Sequence, residues 1–148
     1  MSWEIKYTVN NIDGLECMHQ ITVRLKPGQF FREGIEQLME EHAVKAGVIL
    51  SAVGGVKNAV LRMPKQGTGE HIVRNLEGPF EIVSCTGTLS PDGCHVHVAV
   101  SDQDGRCFGG HLKEGSAVFF TIELVVGILE NTTYQRMPDT ETGFDELI

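Results

Sequence analysis

The chain has 148 residues, of which 41% are hydrophobic and 22% are charged, a balance that predicts one folded domain with its own core. Its net charge of −8 argues against sequence-independent nucleic-acid binding, which depends on Lys and Arg neutralising phosphates. A chain with this net charge can still carry a local basic patch. No apolar run approaches the ~20 residues that span a bilayer, and no charged-then-apolar leader is visible, so we expect a cytoplasmic protein without a membrane segment.

The first half of the chain alternates between strand and helix patterns. Trp3–Val9 and His19–Leu25 are predicted strands, the first followed by a turn at residues 10–14. The period then changes to helical over Gln29–Ala46, with Gly47 as the C-terminal cap and Arg32 on the polar face. This helix is expected to cover one face of a sheet.

Glycines interrupt the next predicted strands. Val48–Val53 is a continuous apolar run, typical of a buried strand, and Val56–Met63 resumes the strand pattern. The Gly54-Gly55 pair between them suits a bulge or a close backbone approach as well as it suits a tight turn.

The second half of the chain is rich in strand patterns. The predicted strands are residues 71–75, 80–89, 95–101 and 116–129, with turns at 76–79 and 90–93. We therefore predict a single α+β domain over residues 1–148, a mostly antiparallel sheet with one main helix packed on it. The polar C-terminal tail, from about residue 131 to 148, is expected to lie on the surface.

Three of the six histidines fall between residues 95 and 111. His95 and His97 lie two apart in a predicted strand and so point from the same face. A three-residue hairpin loop, Gln103 to Gly105 with Gly105 left-handed, places His111 opposite His97 on that face. A two-residue loop sends His111 to the other face unless a bulge at residues 109–110 restores it. We favour the three-residue loop because it is a common form.

Three convergent imidazoles predict a metal site with an open position, the arrangement of catalytic zinc centres. Fe, Ni or Co could use the same ligands. The alternative is a cross-strand histidine cluster held by hydrogen bonds. The four cysteines, scattered without a Cys-x-x-Cys pair, favour buried thiols over disulfides or a cysteine-ligated zinc: Cys17, Cys85, Cys94 and Cys107.

Two acidic residues in apolar strands are candidate general bases. By simple alternation, Glu81 lies on the more apolar face of its strand, where an unpaired charge is costly. It is either a strand-end residue that reaches solvent or a buried carboxylate, paired with Arg62 or beside the metal. Glu123 is the only charge in its strand and needs a partner such as Arg, an imidazole N–H or a metal. Arg62 and Glu81 are the candidate binding residues.

Several short motifs occur in an order that resembles a known family. They are Leu25-Lys26-Pro27-Gly28, residues 47–56, residues 80–87, His95-Val96-His97, Gly109-Gly110-His111-Leu112 and Thr121-Ile122-Glu123. Over about residues 20–145 this set resembles the PPC domain, conserved in plants and prokaryotes. The resemblance implies an α+β fold and a homotrimer around a three-fold axis. Some stand-alone prokaryotic members look like metal-containing proteins with histidine-ligated zinc, which would place the ligands at His95, His97 and His111.

The resemblance also bears on partners. In plants the domain accompanies AT-hook segments in nuclear proteins that bind AT-rich DNA, and prokaryotic relatives carry DNA-binding labels. This chain has no Arg-Gly-Arg-Pro AT-hook, and residues 78–83 resemble a plant partner-contact motif with Pro79 where an Arg is usual. The leading hypothesis is thus a trimeric zinc-binding or other divalent metal-binding protein with a regulatory or DNA-associated role. It could use a protein partner, and direct DNA contact is disfavoured. The alternative is a metal-dependent enzyme that activates water or a small oxygen-rich substrate.

Overall fold

The computed structural model describes residues 17–64 and 70–148. The strand and turn predicted within residues 3–14 lie outside this part of the chain. Eight strands and one helix are described, in the order β1 (Met18–Leu25), α1 (Phe31–Glu41), β2 (Gly47–Arg62), β3 (Val73–Ser90), β4 (Gly93–Ser101), β5 (Cys107–Leu112), β6 (Val118–Leu129), β7 (Arg136–Pro138) and β8 (Asp145–Leu147).

The main sheet is antiparallel and has six strands in the order β1-β6-β2-β3-β4-β5. The end of β2 also pairs with β5, through Leu61 opposite Leu112 and Arg62 opposite His111. Strands β2, β3, β4 and β5 therefore form a closed ring in which each strand pairs with the next and β5 pairs with β2. The tail forms a separate two-stranded hairpin of β7 and β8, most of whose residues are exposed. The predicted α+β class, with a mostly antiparallel sheet and one main helix, is confirmed.

One buried cluster joins the helix to the inner face of the sheet. Phe31 and Ile35 of α1 belong to the same cluster as Val96 of β4 and Leu124 of β6, and all four side chains are at most 1% exposed. Burying such a side chain contributes about 1.5–3 kcal/mol relative to leaving it in water. Because Val96 and Val98 point into this core, the residues that alternate with them in β4 point outward.

The helix is shorter than the sequence predicts, and its end corrects two expectations. It stops at Glu41, His42 is the C-terminal cap residue, and Ala43 adopts a left-handed φ of 47°. Gly47 is not the cap but the first residue of β2, because the chain turns early enough to bury Val44 in the core. No helix among the described residues combines the length and apolar character needed to cross a bilayer.

Gly54 and Gly55 mark a close backbone approach inside one continuous strand rather than a tight turn. Gly54 has a φ of +142°, and a Cβ there would lie 2.0 Å from the carbonyl oxygen of Thr121 in β6. The pairing of β2 with β6 shifts register beside this point. The predicted turn at residues 76–79 is also wrong, since these residues continue β3 and are absorbed by a register shift against β2.

Candidate metal centre

The histidine hairpin has the three-residue loop. His97 lies opposite His111, and the pairing continues to Ser101 opposite Cys107. The Asp102 amide donates to the Arg106 carbonyl at 3.0 Å, and Gly105 has a left-handed φ of 77°. The predicted register is confirmed.

The loop residues explain why this register forms. One carboxylate oxygen of Asp102 accepts the amides of Asp104 and Arg106, each at 2.9 Å. Side-chain acceptance of this kind mimics a backbone turn, and Gly105 supplies the left-handed position at little steric cost. The turn is thus specified by local residues.

The hairpin brings three imidazoles together on the outer face of the sheet. We call His95, His97 and His111 the histidine triad. Its ring centroids are 5.0 Å apart for His95–His97 and for His95–His111, and 5.6 Å apart for His97–His111. One ring nitrogen from each residue lies within 4.8 Å of the other two. His97 is exposed and His111 is half-buried, so the group opens to solvent on one side.

One pair of the triad, His95 and His97, is already close to the spacing of ligands in a tetrahedral metal site. The Nε2 atoms of His95 and His97 are 3.1 Å apart. Two nitrogens bound to one zinc at 2.0–2.1 Å lie about 3.4 Å apart in a tetrahedron, so little movement separates this pair from a chelating geometry. The same 3.1 Å also satisfies a hydrogen bond between two imidazoles. In addition, the buried Nδ1 of His111 has no hydrogen-bond partner among the described residues.

The surroundings keep two of the imidazoles neutral. Burial, followed by the positive charge of Arg62, lowers the pKa of His111 to about 3. Burial, followed by His97, lowers the pKa of His95. Only a neutral imidazole can donate a lone pair to a metal, so these two ligands need not lose a proton first at neutral pH.

Arg32 is buried next to the strands that carry the triad, contrary to the prediction that it lies on the polar face of the helix. It is only 9% exposed. Its guanidinium donates to the carbonyl of Leu112 at 3.1 Å and makes a longer contact, 3.5 Å, with that of Cys94. Leu112 follows His111 and Cys94 precedes His95, so Arg32 joins the two strands beside two of the histidines. Two carboxylates offset its charge: Glu36 lies 2.9 Å from the Arg32 Nη2, and Glu114 lies 3.0 Å from the Arg32 Nε.

A cleft of about 190 Å³ lies beside the triad. His95 and His111 line one part of it, and Arg62 contributes from β2. The C-terminal hairpin supplies Arg136, Phe144, Asp145 and Glu146 to the same cleft. The tail therefore contributes walls to the candidate site.

The structure does not bring Glu81 to the triad. Glu81 is exposed and lies opposite Gly55 and Ser101. A register shift between Ile82 and Ser84 reverses the alternation, so Phe80 and Cys85 both point inward and Glu81 points outward. Glu81 thus reaches solvent, the first of the two alternatives, and it does not pair with Arg62, since their places along β2 are seven residues apart, roughly 23 Å.

Glu123 also lies away from the triad. It is exposed on β6, opposite Arg24 of β1 and Val53 of β2. Three strand spacings, about 14 Å, separate β6 from β4 in the sheet order. The half-buried acidic residue that does line the cleft is Glu146. Sequence reasoning missed it, together with Arg32 and Arg136, because no local pattern tells which distant segment covers the hairpin.

Comparison with known proteins now identifies the family. Residues 13–130 match the model of the Plants and Prokaryotes Conserved (PCC) domain, which is the PPC domain named above. The chain belongs to this family. The chain is 39% identical over 125 residues to a bifunctional protein GlmU of Synechococcus, a match that covers 84% of this chain and 19% of that protein. It thus spans about a fifth of the length of the GlmU relatives it matches.

Two solved structures share the fold of this PPC chain. A hypothetical protein from Salmonella enterica is 33% identical with a TM-score of 0.83, covering 91% of this chain and 95% of that one. The metal-containing protein AF0104 from Archaeoglobus fulgidus is 30% identical with a TM-score of 0.77, covering 100% and 99% of the two chains. The predicted family resemblance is confirmed.

Proposed function

We propose that this chain is a metal-binding PPC protein in which His95, His97 and His111 hold one divalent ion, most suitably zinc. The observation that carries the proposal is the convergence of three ring nitrogens within 4.8 Å on one face of a hairpin. The naming of the Archaeoglobus relative as metal-containing adds support. Nitrogen ligands in this number suit zinc with one position left open.

Metal analysis of protein purified without chelator or affinity tag tests the proposal. We expect about one equivalent of metal per chain in the wild type and a large loss in His97→Ala. His42→Ala is the control, because His42 lies at the end of α1 and takes no part in the triad. Metal content that stays the same in His97→Ala would overturn the ligand assignment.

We further propose that the protein assembles as a homotrimer, as its family resemblance implies. Large apolar side chains are exposed on neighbouring strands of the sheet: Val53 on β2 is 59% exposed, Val83 on β3 is 58% and Phe120 on β6 is 69%. Large apolar side chains exposed on adjacent strands suit an interface, because contiguous apolar patches mark such surfaces. Analytical ultracentrifugation is expected to give a trimer for the wild type and smaller species for Val53→Glu. A monomeric wild type at micromolar concentration would contradict the proposal.

Within that assembly we propose a regulatory role through protein partners rather than direct DNA contact. The net charge of −8 supports this view, because bare phosphate binding needs excess positive charge. Titration of a labelled duplex at ~50 mM salt, where electrostatic affinity is strong, is the test. Saturable binding under that condition would establish direct DNA association instead. A cytoplasmic location stays a prediction.

A metal-dependent enzyme is the second candidate, and the cleft beside the triad favours it. An open metal position could activate water, and Glu146 is the half-buried acid that lines this cleft. Zinc-loaded protein would then hydrolyse a simple ester or phosphate ester, and both His97→Ala and Glu146→Gln would lose the activity. Hydrolysis unchanged in both variants would exclude catalysis at this site.

A further inference from the structure

Two guanidinium groups border the cleft without a carboxylate partner. Among the described residues, neither Arg62 nor Arg136 forms an ion pair. Arg32, the third arginine of the cleft, differs because Glu36 and Glu114 neutralise it. A guanidinium that forms no ion pair beside a metal site can bind an anionic ligand.

Arg62 is held beside His111 with its donors available. The two residues lie opposite each other in the β2–β5 pairing. The Arg62 guanidinium carbon is 4.7 Å from the centroid of the Phe144 ring. A guanidinium packed on an aromatic face keeps its N–H groups at its edge, where they can bind an oxyanion in bidentate fashion.

Arg136 approaches the triad from the opposite side. Its Nη2 donates to the hydroxyl of Thr88 at 2.9 Å, and Thr88 lies opposite His95 in the β3–β4 pairing. The Arg136 Nε is buried and has no hydrogen-bond partner among the described residues. A buried donor without a hydrogen bond destabilises the protein. A ligand oxygen that accepts a hydrogen bond from this Nε would remove that cost and so bind more tightly.

The acidic groups of the cleft limit what can bind. Asp92 accepts the backbone N–H of Arg136 at 2.9 Å and is therefore already engaged. Asp145 is exposed, and Glu146 is half-buried and lines the cleft with His95. A bound anion must tolerate the charge of Glu146, so binding is expected to be modest and to improve when that charge is removed.

We propose that Arg62 and Arg136 form a subsite for a small oxyanion, a carboxylate or phosphate group, that binds beside the metal and occupies its open position. The inference rests on the proposed metal site and adds the chemical class of its ligand. The volume of about 190 Å³ is below the 300–1,000 Å³ of pockets for drug-sized ligands, which selects a small anion.

Cobalt(II) substituted for zinc provides the test, because its absorption spectrum reports the fourth ligand directly. Metal content is measured first, and the cobalt protein is then titrated with sodium acetate and, separately, with inorganic phosphate. We expect a saturable spectral change with at least one anion. A response to acetate alone identifies a carboxylate site, and a response to phosphate alone identifies a phosphate site.

Charge variants then locate the subsite. Arg62→Gln and Arg136→Gln are each expected to weaken anion binding at least about tenfold, the loss typical of one charge-assisted hydrogen bond. Glu146→Gln is expected to strengthen it several-fold. Arg106→Gln is the matched control, since Arg106 is exposed in the hairpin loop, at the end of β4 and β5 away from the triad. The anion affinity of this variant should equal that of the wild type.

The outcomes separate the subsite from the metal site. Cobalt that binds stoichiometrically but responds to neither anion, or responds equally in Arg62→Gln, overturns the subsite and leaves the metal proposal standing. If cobalt does not bind, the metal proposal fails, and calorimetric titration of the metal-free protein with phosphate and acetate decides the subsite. Binding there that Arg62→Gln weakens supports it, and no binding overturns it.

Discussion

Arg32 donates to the carbonyl oxygen of Leu112, the residue after His111, across 3.1 Å. This bond connects the one helix of the described residues to the strand that carries a candidate metal ligand. A buried arginine that fixes a strand end beside a ligand acts as a positioning residue. Residues that orient ligands in this way commonly change metal affinity by 10–100-fold when they are replaced.

Replacing Arg32 is therefore expected to affect both the fold and the site. Arg32→Met should lower the free energy of unfolding by about 2–3 kcal/mol, because a buried carbonyl loses its donor. It should also weaken metal binding by about 10–100-fold. Urea unfolding and competition with a chromogenic chelator measure the two effects. Arg24→Met is the control, since Arg24 makes an exposed bond to Thr121 at 2.9 Å, and a change within about 0.5 kcal/mol is expected.

The stability of the metal-free protein should fall as the pH drops. The pKa of His111 is about 3 in the folded chain, below its ordinary value of 6.5. Between these values the unfolded chain binds more protons than the folded one, so the free energy of unfolding rises with pH across this window. Urea unfolding at pH 7.5 and pH 5 is expected to show a smaller loss for His111→Gln than for the wild type. Equal losses would contradict the role of His111, and the comparison removes the contribution of the carboxyl groups.

Gly54 should tolerate no side chain. In Gly54→Ala the new Cβ would lie only 2.0 Å from the Thr121 carbonyl oxygen, and the alanine would have to adopt a φ of +142°. We expect a loss of more than about 3 kcal/mol, measured by chemical unfolding. Gly93→Ala is the matched control, with a φ of +129° and no atom within 4 Å of the added Cβ. Its loss should be about 1 kcal/mol, and similar losses in both variants would show that backbone strain alone decides.

The thiols should differ sharply in reactivity. Burial raises the pKa of Cys85 to about 12 and that of Cys94 to about 11, whereas Cys107 is exposed. Because the thiolate is the nucleophile, iodoacetamide at pH 8 should label Cys107 first and reach Cys85 and Cys94 only in denaturant. Peptide mapping by mass spectrometry follows each site. In Cys107→Ser the labelling at that position disappears, while rapid labelling of Cys85 would contradict its burial.

The histidine triad was predictable because its geometry is local. Asp102 and Gly105 specify the loop, and the loop fixes which residue faces His97. The strand face on which Glu81 lies was not predictable from alternation, because the irregularity between Ile82 and Ser84 depends on how β3 packs between its neighbours. A simple alternation puts Glu81 inside, whereas the shifted strand puts it in solvent.

The helix and the tail show the same limit. Periodicity identifies α1, but whether Arg32 faces water depends on Leu112 and Glu114, which lie about 80 residues further along the chain. Composition describes the tail as polar, yet nothing local indicates that Arg136 and Glu146 line the cleft beside the triad. In both cases the outcome depends on contacts between residues that are far apart in the sequence.

The three histidines lie between residues 95 and 111, so the whole ligand set belongs to one short stretch of chain. Because these imidazoles stay near one another along the sequence, we expect the unfolded chain to retain a share of the metal affinity. Metal that also binds the unfolded state stabilises the native state by less than its native affinity predicts. The rise in melting temperature on adding zinc should therefore understate the native affinity, and the same local ligand set allows the ion to be captured before the helix and the tail have docked.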